Sequence, residues 1–447
     1  MRPLTLAALC ALGLILPKAG VSIDMQTTTL DNGMDVIVIP DHRAPVVTHS
    51  VWYQAGSMDE QAGRTGIAHM LEHMMFRGTD SMSQEEREDM IHTNGIQENA
   101  FTSWDMTAYF QDAAADRLPL LMEQEADRMK NLKLVDDLFQ PERSAVLEER
   151  QLRTETNPIG RFFEQYIHAH YGDAPYGHPV IGWRKDIEAY TVEKAEDWYN
   201  TYYAPNNATL IIAGDVTLDA ILPAIKEHYA PLPQANTPAR TYTPVPRWEE
   251  PQELKVADPE VQVPLWVRYY RAPSAQTGFP GADTADAPAL EVLAEVLGGG
   301  QTSRLYKALV QEQELADSAS TSYDAMAAAE RAIEIYVEPK PDVPLSRISQ
   351  AVEDVLMDVQ TNGVSTEEVE RAIISLRASE VYEQDDIFQQ VYKIGSWIMA
   401  GGQPEGYHTY QENLQQVTPA AVQRVAEKYL SVTQSTTGML AQTEAQF

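Results

Sequence analysis

Hydrophobic and polar positions follow a similar order in the two halves of the chain. Runs of β-branched and apolar residues predict strands at residues 35–40 and 46–52, and again at residues 261–270. Stretches with helical periodicity follow these strands in both halves. The pattern predicts an α+β protein in which each half is an antiparallel-rich sheet packed with helices.

The two halves also end in a similar way. Residues 191–203 and 418–430 each predict a helix with a threonine N-cap, and each is followed by a strand (208–213 and 435–440). The interval between Thr191 and Thr418 equals the interval between Tyr202 and Tyr429. A constant offset across a helix and a strand indicates two homologous modules. Chance similarity between two amphipathic helices is the alternative.

A proline-rich segment divides the chain. Residues 231–251 contain six prolines and little apolar periodicity, which is typical of an extended linker. The predicted organisation is a signal peptide at 1–22, a first module at 23–230, the linker at 231–251 and a second module at 252–447.

Composition limits the class of protein. With 447 residues, 44% of them hydrophobic and 22% charged, the chain is predicted to be globular and to contain more than one domain. A formal net charge of −33 argues against nucleic acid and anionic membrane surfaces as partners. Solubility is the simplest explanation for this charge.

The N-terminus predicts export. Arg2 precedes an apolar run over residues 4–16, which is too short to span a bilayer and fits a secretory signal peptide. The single cysteine, Cys10, lies in this run, so the mature protein would have no disulfide and no thiolate chemistry. No stable membrane anchor is expected. A periplasmic location is expected.

The sequence His69-Met-Leu-Glu-His73 is the main candidate for chemistry. Positions i, i+3 and i+4 of a helix share one face, so His69, Glu72 and His73 would project together. Two imidazoles can hold one zinc ion, and a carboxylate beside them can take a proton from zinc-bound water. The order H-x-x-E-H is the inverzincin signature. An ordinary exposed helix face could carry the same residues by chance, so a third ligand is needed.

The third ligand is expected to be a carboxylate. Residues 141–154 predict an acidic helix with Pro141 in its first turn, where Glu142 and Glu149 share a face and Glu148 points away. A solvated helix face is the alternative for these residues. Surface or capping roles are expected for five isolated histidines, and the His168, His170 and His178 group is a weak candidate for metal ligation. The five are His42, His49, His92, His228 and His408.

Ordered motifs extend over most of the chain. They are residues 66–79 (GIAHMLEHMMFRGT), 99–102 (NAFT) with Asp105, Thr107 and Tyr109, 142–150, 171–178 (YGDAPYGH), 202–207 (YYAPNN) with Gly214 and Asp215, and 298–306 (GGGQTSRLY). In this order they resemble the pitrilysin, insulysin and mitochondrial processing peptidase family of zinc metallopeptidases. The resemblance is to the bacterial half-length type, in which the two modules form half of a clamshell.

The resemblance implies roles for particular residues. It assigns one zinc ion per chain to His69, His73 and Glu149, because Glu149 follows His73 at the interval that the family shows. Glu72 would be the general base, and Glu142 would lie behind the site and orient a ligand. An exposed edge strand would bind peptide substrate by main-chain hydrogen bonds. That strand consists of Asn99, Ala100, Phe101 and Thr102.

The second module departs from the family pattern. The family usually places an arginine and a tyrosine where this chain has Val310 and Asp317. Valine has no hydrogen-bond donor, and aspartate would repel a developing oxyanion. The sequence therefore predicts a heterodimer in which a second half-length homologous subunit supplies the missing pair.

Three functions remain open at this point. The favoured one is a zinc endopeptidase subunit that hydrolyses short or unfolded peptides in an enclosed chamber. A non-catalytic structural or assembly subunit is the second, although an intact set of metal ligands argues against it. A processing peptidase dedicated to one partner protein is the third, and the sequence does not separate it from the first.

Overall fold

A computed structural model describes residues 23–241, 243–278 and 281–447 of the chain. The predicted signal peptide and Cys10 lie outside these residues. Two sheets with helices around them form the structure, which confirms the predicted α+β class.

The first sheet has six strands in the order β1-β2-β6-β3-β5-β4. Its neighbours are antiparallel except for the parallel pair β2–β6. The strands are β1 (Gln26–Thr29), β2 (Asp35–Pro40), β3 (Val46–Tyr53), β4 (Gln97–Thr102), β5 (Thr107–Ala114) and β6 (Ala208–Gly214). Every residue of β6 is buried, as expected for an apolar strand in the middle of a sheet.

Eight helices lie in the first half of the described chain. They are α1 (Ile67–Met74), α2 (Gln84–Asn94), α3 (Leu118–Asn131), α4 (Asp136–Arg150), α5 (Pro158–Tyr171), α6 (Arg184–Glu188), α7 (Val192–Tyr202) and α8 (Leu218–Tyr229). The predicted start of α4 is wrong, because Pro141 lies inside the helix. The helix begins earlier, where Asp136 and Asp137 place negative charge at the positive N-terminal end. A π-helical segment, Gln151–Glu155, continues from its C-terminus.

The second sheet has five strands in the order β7-β11-β8-β10-β9. They are β7 (Gln252–Ala257), β8 (Leu265–Ala272), β9 (Ala316–Tyr323), β10 (Arg331–Pro339) and β11 (Ser435–Ala441). The helices in this half of the chain are α9 (Ala287–Gly298), α10 (Leu345–Asn362), α11 (Thr366–Glu383), α12 (Ile387–Met399), α13 (Pro404–Gln415) and α14 (Pro419–Tyr429). The apolar helix α9 is buried along almost its whole length.

The two sheets share one topology. The order β2-β6-β3-β5-β4 corresponds to β7-β11-β8-β10-β9, and the parallel pair occupies the same place in both sheets. The interval from the start of β6 to the start of β11 equals the interval from the start of α7 to the start of α14. The side chains of Thr191 and Thr418 cap these helices in the same way, by accepting a backbone N–H bond. The prediction of two homologous modules is confirmed.

Each sheet packs against a helix from the other half of the chain. Helix α12 contacts β3 and β6, and α5 contacts β7 and β11. Glycine permits both contacts: a Cβ at Gly395 would lie 2.5 Å from the Trp52 ring, and a Cβ at Gly438 would lie 2.6 Å from the Tyr166 ring. The two halves therefore share buried surface.

The predicted linker lies between the two sheets in sequence. Its described residues, 231–241 and 243–251, contain no helix or strand. Arg240 forms an ion pair with Asp59 at 2.8 Å, so this segment contacts the first module. None of the described helices has the length and apolar character needed to cross a membrane.

Candidate metal centre

Helix α1 carries His69, Glu72 and His73, and backbone geometry fixes where this helix starts. Gly66 precedes the helix with φ of +87°, and a Cβ there would lie 2.2 Å from the Ile181 carbonyl oxygen. Only glycine fits this position without a shift of the backbone. The buried carboxylate of Glu60 accepts hydrogen bonds from the backbone N–H groups of Gly66 (2.6 Å) and Ala68 (2.9 Å). These bonds satisfy two donors that a helix start leaves free.

Three side chains from two helices converge beside α1. His69 and His73 come from α1, and Glu149 comes from the last turn of α4. One ligand atom of each lies within 4.8 Å of the others. The Oε2 atom of Glu149 lies 3.7 Å from His69 Nε2 and 3.4 Å from His73 Nε2. Within the described part of the chain, this is the one such group of three found.

The donor set suits zinc. Zinc binds imidazole nitrogen and carboxylate oxygen at about 2.0–2.2 Å, so two ligand atoms of a tetrahedral site lie about 3.4 Å apart. The two histidine–glutamate distances are close to this value. Burial and the neighbouring His73 lower the pKa of His69 to about 4, so its ring is neutral near pH 7 and its nitrogen lone pair is available.

Glu142 lies on the far side of His73 and holds its ring. The Nδ1 atom of His73 lies 3.2 Å from Glu142 Oε2, which leaves Nε2 facing Glu149. Arg77 contacts the other oxygen of Glu142 at 2.5 Å. Burial raises the pKa of Glu142, but the hydrogen bonds from His73 and Arg77 outweigh burial and lower it, so the group is ionised. In metal-free protein, burial lowers the pKa of His73, and the bonds to Glu142 and Glu149 outweigh this and raise it to about 9.

Glu72 lies on the same helix but outside the group of three. Its Oε2 atom accepts a hydrogen bond of 2.5 Å from the hydroxyl of Thr102, the last residue of β4. Burial raises the pKa of Glu72. A carboxylate whose pKa is raised and whose position is fixed is suited to accept and return a proton.

The predicted substrate strand lies at the edge of the first sheet. Residues Asn99 to Thr102 belong to β4, which pairs with β5 on one side only. Asn99 is exposed, and Ala100, Phe101 and Thr102 are partly exposed. No other described strand pairs with its second edge, and its C-terminal residue contacts Glu72.

Two family models match most of the chain. Residues 35–183 match the insulinase model (peptidase family M16), and residues 189–376 match the model described as the peptidase M16 inactive domain. The chain belongs to peptidase family M16.

Relatives that match all or part of the chain support this assignment. The zinc protease PqqE of Helicobacter pylori is 28% identical over 421 residues, which cover 93% of this chain and 92% of that protein. The crystal structure of a protease from Helicobacter pylori has a TM-score of 0.84 and 26% identity, and the match covers 94% of this chain and 100% of that one. The mitochondrial-processing peptidase subunit beta of Bos taurus is 33% identical over 207 residues, 46% of this chain and 42% of that subunit. The recognised family and its half-length type are therefore confirmed.

The other histidines of this M16 chain do not join the metal ligands. His168 and His170 bond to the Gly177 carbonyl and the Thr436 hydroxyl, and His178 lies 3.3 Å from Glu60. The surface or capping role expected for His49 is wrong. It is fully buried between Gln111 and Tyr229, because its polar ring atoms find partners across the sheet and under α8.

The second module contributes no metal ligand among its described residues. Val310 lies in a π-helical segment, Tyr306–Glu312, and packs against a hydrophobic core built largely from the second module. Asp317 is exposed on β9, an edge strand of the second sheet. Neither side chain offers a cationic or phenolic donor.

Two contacts of the site were not predicted from the sequence. Arg77 lies beyond the C-terminal end of α1, so helical spacing does not predict its contact with Glu142. Thr102 was predicted only as part of a strand, and its hydroxyl contact with Glu72 joins residues 30 positions apart. No local pattern predicts that second contact.

Proposed function

We propose that the chain is the metal-binding subunit of a zinc-dependent endopeptidase. The observation that carries the proposal is the convergence of His69, His73 and Glu149 beside Glu72. This arrangement combines a three-ligand site for one zinc ion with an adjacent proton acceptor. Membership of a family whose relatives are named zinc proteases supports it.

Different residues of the chain have different roles in peptide hydrolysis. A zinc ion held by His69, His73 and Glu149 would supply Lewis-acid activation of water and of the scissile carbonyl. Glu72 takes a proton from the attacking water and returns it to the leaving amine. Glu142 holds the ring of His73 so that Nε2 faces the ligand group.

The substrate is a short or unfolded peptide in extended conformation. The free edge of β4 can pair with such a peptide as an added strand, through main-chain hydrogen bonds of residues Asn99 to Thr102. Main-chain pairing depends weakly on side chains. The proposal therefore includes broad sequence tolerance within an enclosed chamber.

A second half-length subunit completes the site. Val310 and Asp317 leave this chain without the arginine and tyrosine that the family pattern has there. We propose that a homologous partner supplies them across the chamber and that the heterodimer is the active form. Residues 1–22 support export to the periplasm as the place of action.

The decisive experiment compares wild type with Glu72→Gln. Zinc content by atomic spectrometry and hydrolysis of unstructured peptides are measured for each chain, alone and mixed with a homologous half-length subunit. Glu72→Gln is expected to keep its zinc and to lose about a thousandfold in kcat, within the range for general acid–base catalysis. Normal cleavage by this variant would refute the mechanism, and full activity of wild type alone would refute the heterodimer.

A further inference from the structure

The contact between Thr102 and Glu72 joins two parts of the proposed site. Glu72 belongs to the metal helix, and Thr102 ends the edge strand β4. The Thr102 hydroxyl lies 2.5 Å from the Glu72 carboxylate. One side chain of the strand therefore contacts the proposed base directly.

The hydrogen bond engages only one oxygen of the base. Thr102 donates to Oε2 of Glu72. A glutamate side chain has several rotatable bonds, and a fixed partner at one oxygen restricts the positions of both. Oε1 then remains for the proton of the attacking water.

We propose that the Thr102 hydroxyl is a positioning group for the general base Glu72. It holds the Glu72 carboxylate at a fixed position relative to β4, the strand whose edge binds the substrate peptide. This inference rests on the proposed function, because it requires Glu72 to act as the base.

The strand end that carries Thr102 is anchored by both modules. Three residues further on, the buried Asp105 accepts a hydrogen bond of 2.7 Å from the Tyr176 hydroxyl and one of 3.2 Å from the Ala328 backbone N–H. The backbone N–H of Ala329 donates to the Tyr176 hydroxyl at 2.9 Å. The second module thereby holds the turn after β4, which fixes where Thr102 lies.

The turn is also held from the first module. The backbone N–H of Ser57 donates to the Ser103 carbonyl at 3.1 Å, and that of Met58 donates to the Trp104 carbonyl at 2.9 Å. Arg240 of the linker segment donates to the Asp105 carbonyl. A strand end held from three directions can fix a side-chain hydroxyl against a catalytic carboxylate.

Two substitutions separate the hydroxyl from the shape of the side chain. Thr102→Val keeps the branched shape that suits a strand and removes the donor, whereas Thr102→Ser keeps the donor. Thr48→Val is the matched control, because Thr48 donates to Asp112 at 2.5 Å between strands of the same sheet, outside the metal centre.

The kinetic constants for an unstructured peptide provide the first readout. Each variant is assayed together with the same homologous subunit that makes the wild-type chain active. Thr102→Val is expected to lower kcat about ten- to a hundredfold, as loss of a hydrogen bond to a charged group predicts, and to change KM less than about threefold. Thr102→Ser should stay within about threefold of wild type in kcat, and Thr48→Val should match wild type.

Zinc content and crystal structures provide a second readout that needs no turnover. Zinc content should be equal in all variants, while the Glu72 carboxylate should leave its wild-type position in Thr102→Val and keep it in Thr102→Ser. An unmoved carboxylate, or a kcat of Thr102→Val within about threefold of wild type, would overturn the inference. Equal losses in the valine and serine variants would overturn it as well.

Failure of the proposed function gives a different result. If Glu72→Gln turns over normally, Glu72 is not the base, and both proposals fall together. If Glu72→Gln is inactive and Thr102→Val is normal, the base is correct and only the positioning role is refuted.

Discussion

Glu142 offers a test of how the protein tunes its metal centre without touching the ion. The residue is 4% exposed, and its carboxylate lies between His73 Nδ1 at 3.2 Å and Arg77 at 2.5 Å. Substitution by glutamine keeps an oxygen that can accept from His73, but removes the negative charge. Substitution by alanine removes both the charge and the contact.

The size of the effect follows from this geometry. Loss of a carboxylate behind a metal-ligating histidine typically weakens metal binding by about ten- to a hundredfold, or about 1.4–2.8 kcal/mol. Glu142→Gln should weaken zinc binding by about tenfold, because the ring of His73 stays oriented. Glu142→Ala should weaken zinc binding by about a hundredfold, because the ring of His73 loses its hydrogen-bond partner and Arg77 loses its counter-charge.

Competition against a chromophoric zinc chelator at fixed pH measures these affinities. Glu368→Gln is the control, since Glu368 pairs with Arg304 at 2.8 Å in the second module and contacts none of the metal-site residues. It should bind zinc like wild type. Wild-type affinity in both Glu142 variants would refute the reasoning that this carboxylate tunes the metal ligand.

Three further predictions concern stability and the joining of the two modules. His170 is buried, which lowers its pKa to about 3 from 6.5, so the unfolded chain takes up a proton as pH falls below 6.5 and native stability is lost towards pH 3. In denaturant unfolding, the free energy of unfolding of wild type should fall by about 1.5–2 kcal/mol more than that of His170→Gln between pH 6.5 and 5. Equal decreases in the two proteins would contradict this. Gly395→Ala should destabilise the fold by about 1–3 kcal/mol, because the new methyl group meets the buried Trp52 ring. A gain in stability in the same measurement would show that α12 can shift. Tyr176→Phe removes a hydroxyl that bonds Asp105 and Ala329, and should cost about 1–3 kcal/mol and raise KM for peptides. An unchanged melting temperature and KM would show that this contact does not hold the strand.

Much of the metal centre could be predicted because it depends on local geometry. His69, Glu72 and His73 share a face as soon as residues 67–74 form a helix, and Glu142 and Glu149 share a face seven residues apart. The duplication was also visible, since a constant offset between the two halves needs no tertiary information. The start of α4 was misplaced, because a proline that suits a first turn is also tolerated inside a helix when packing holds it.

The amino-acid sequence by itself determined the donor types, their helical spacing and the repetition of one module, because these follow from periodicity and side-chain chemistry. Only the tertiary structure decided that α4 brings Glu149 to within 3.4 Å of His73, and that the edge strand brings Thr102 to Glu72. It alone decided that α5 and α12 each pack on the sheet of the other module. These contacts join residues far apart in the chain, and burial of apolar surface selects them against many alternatives of similar local propensity.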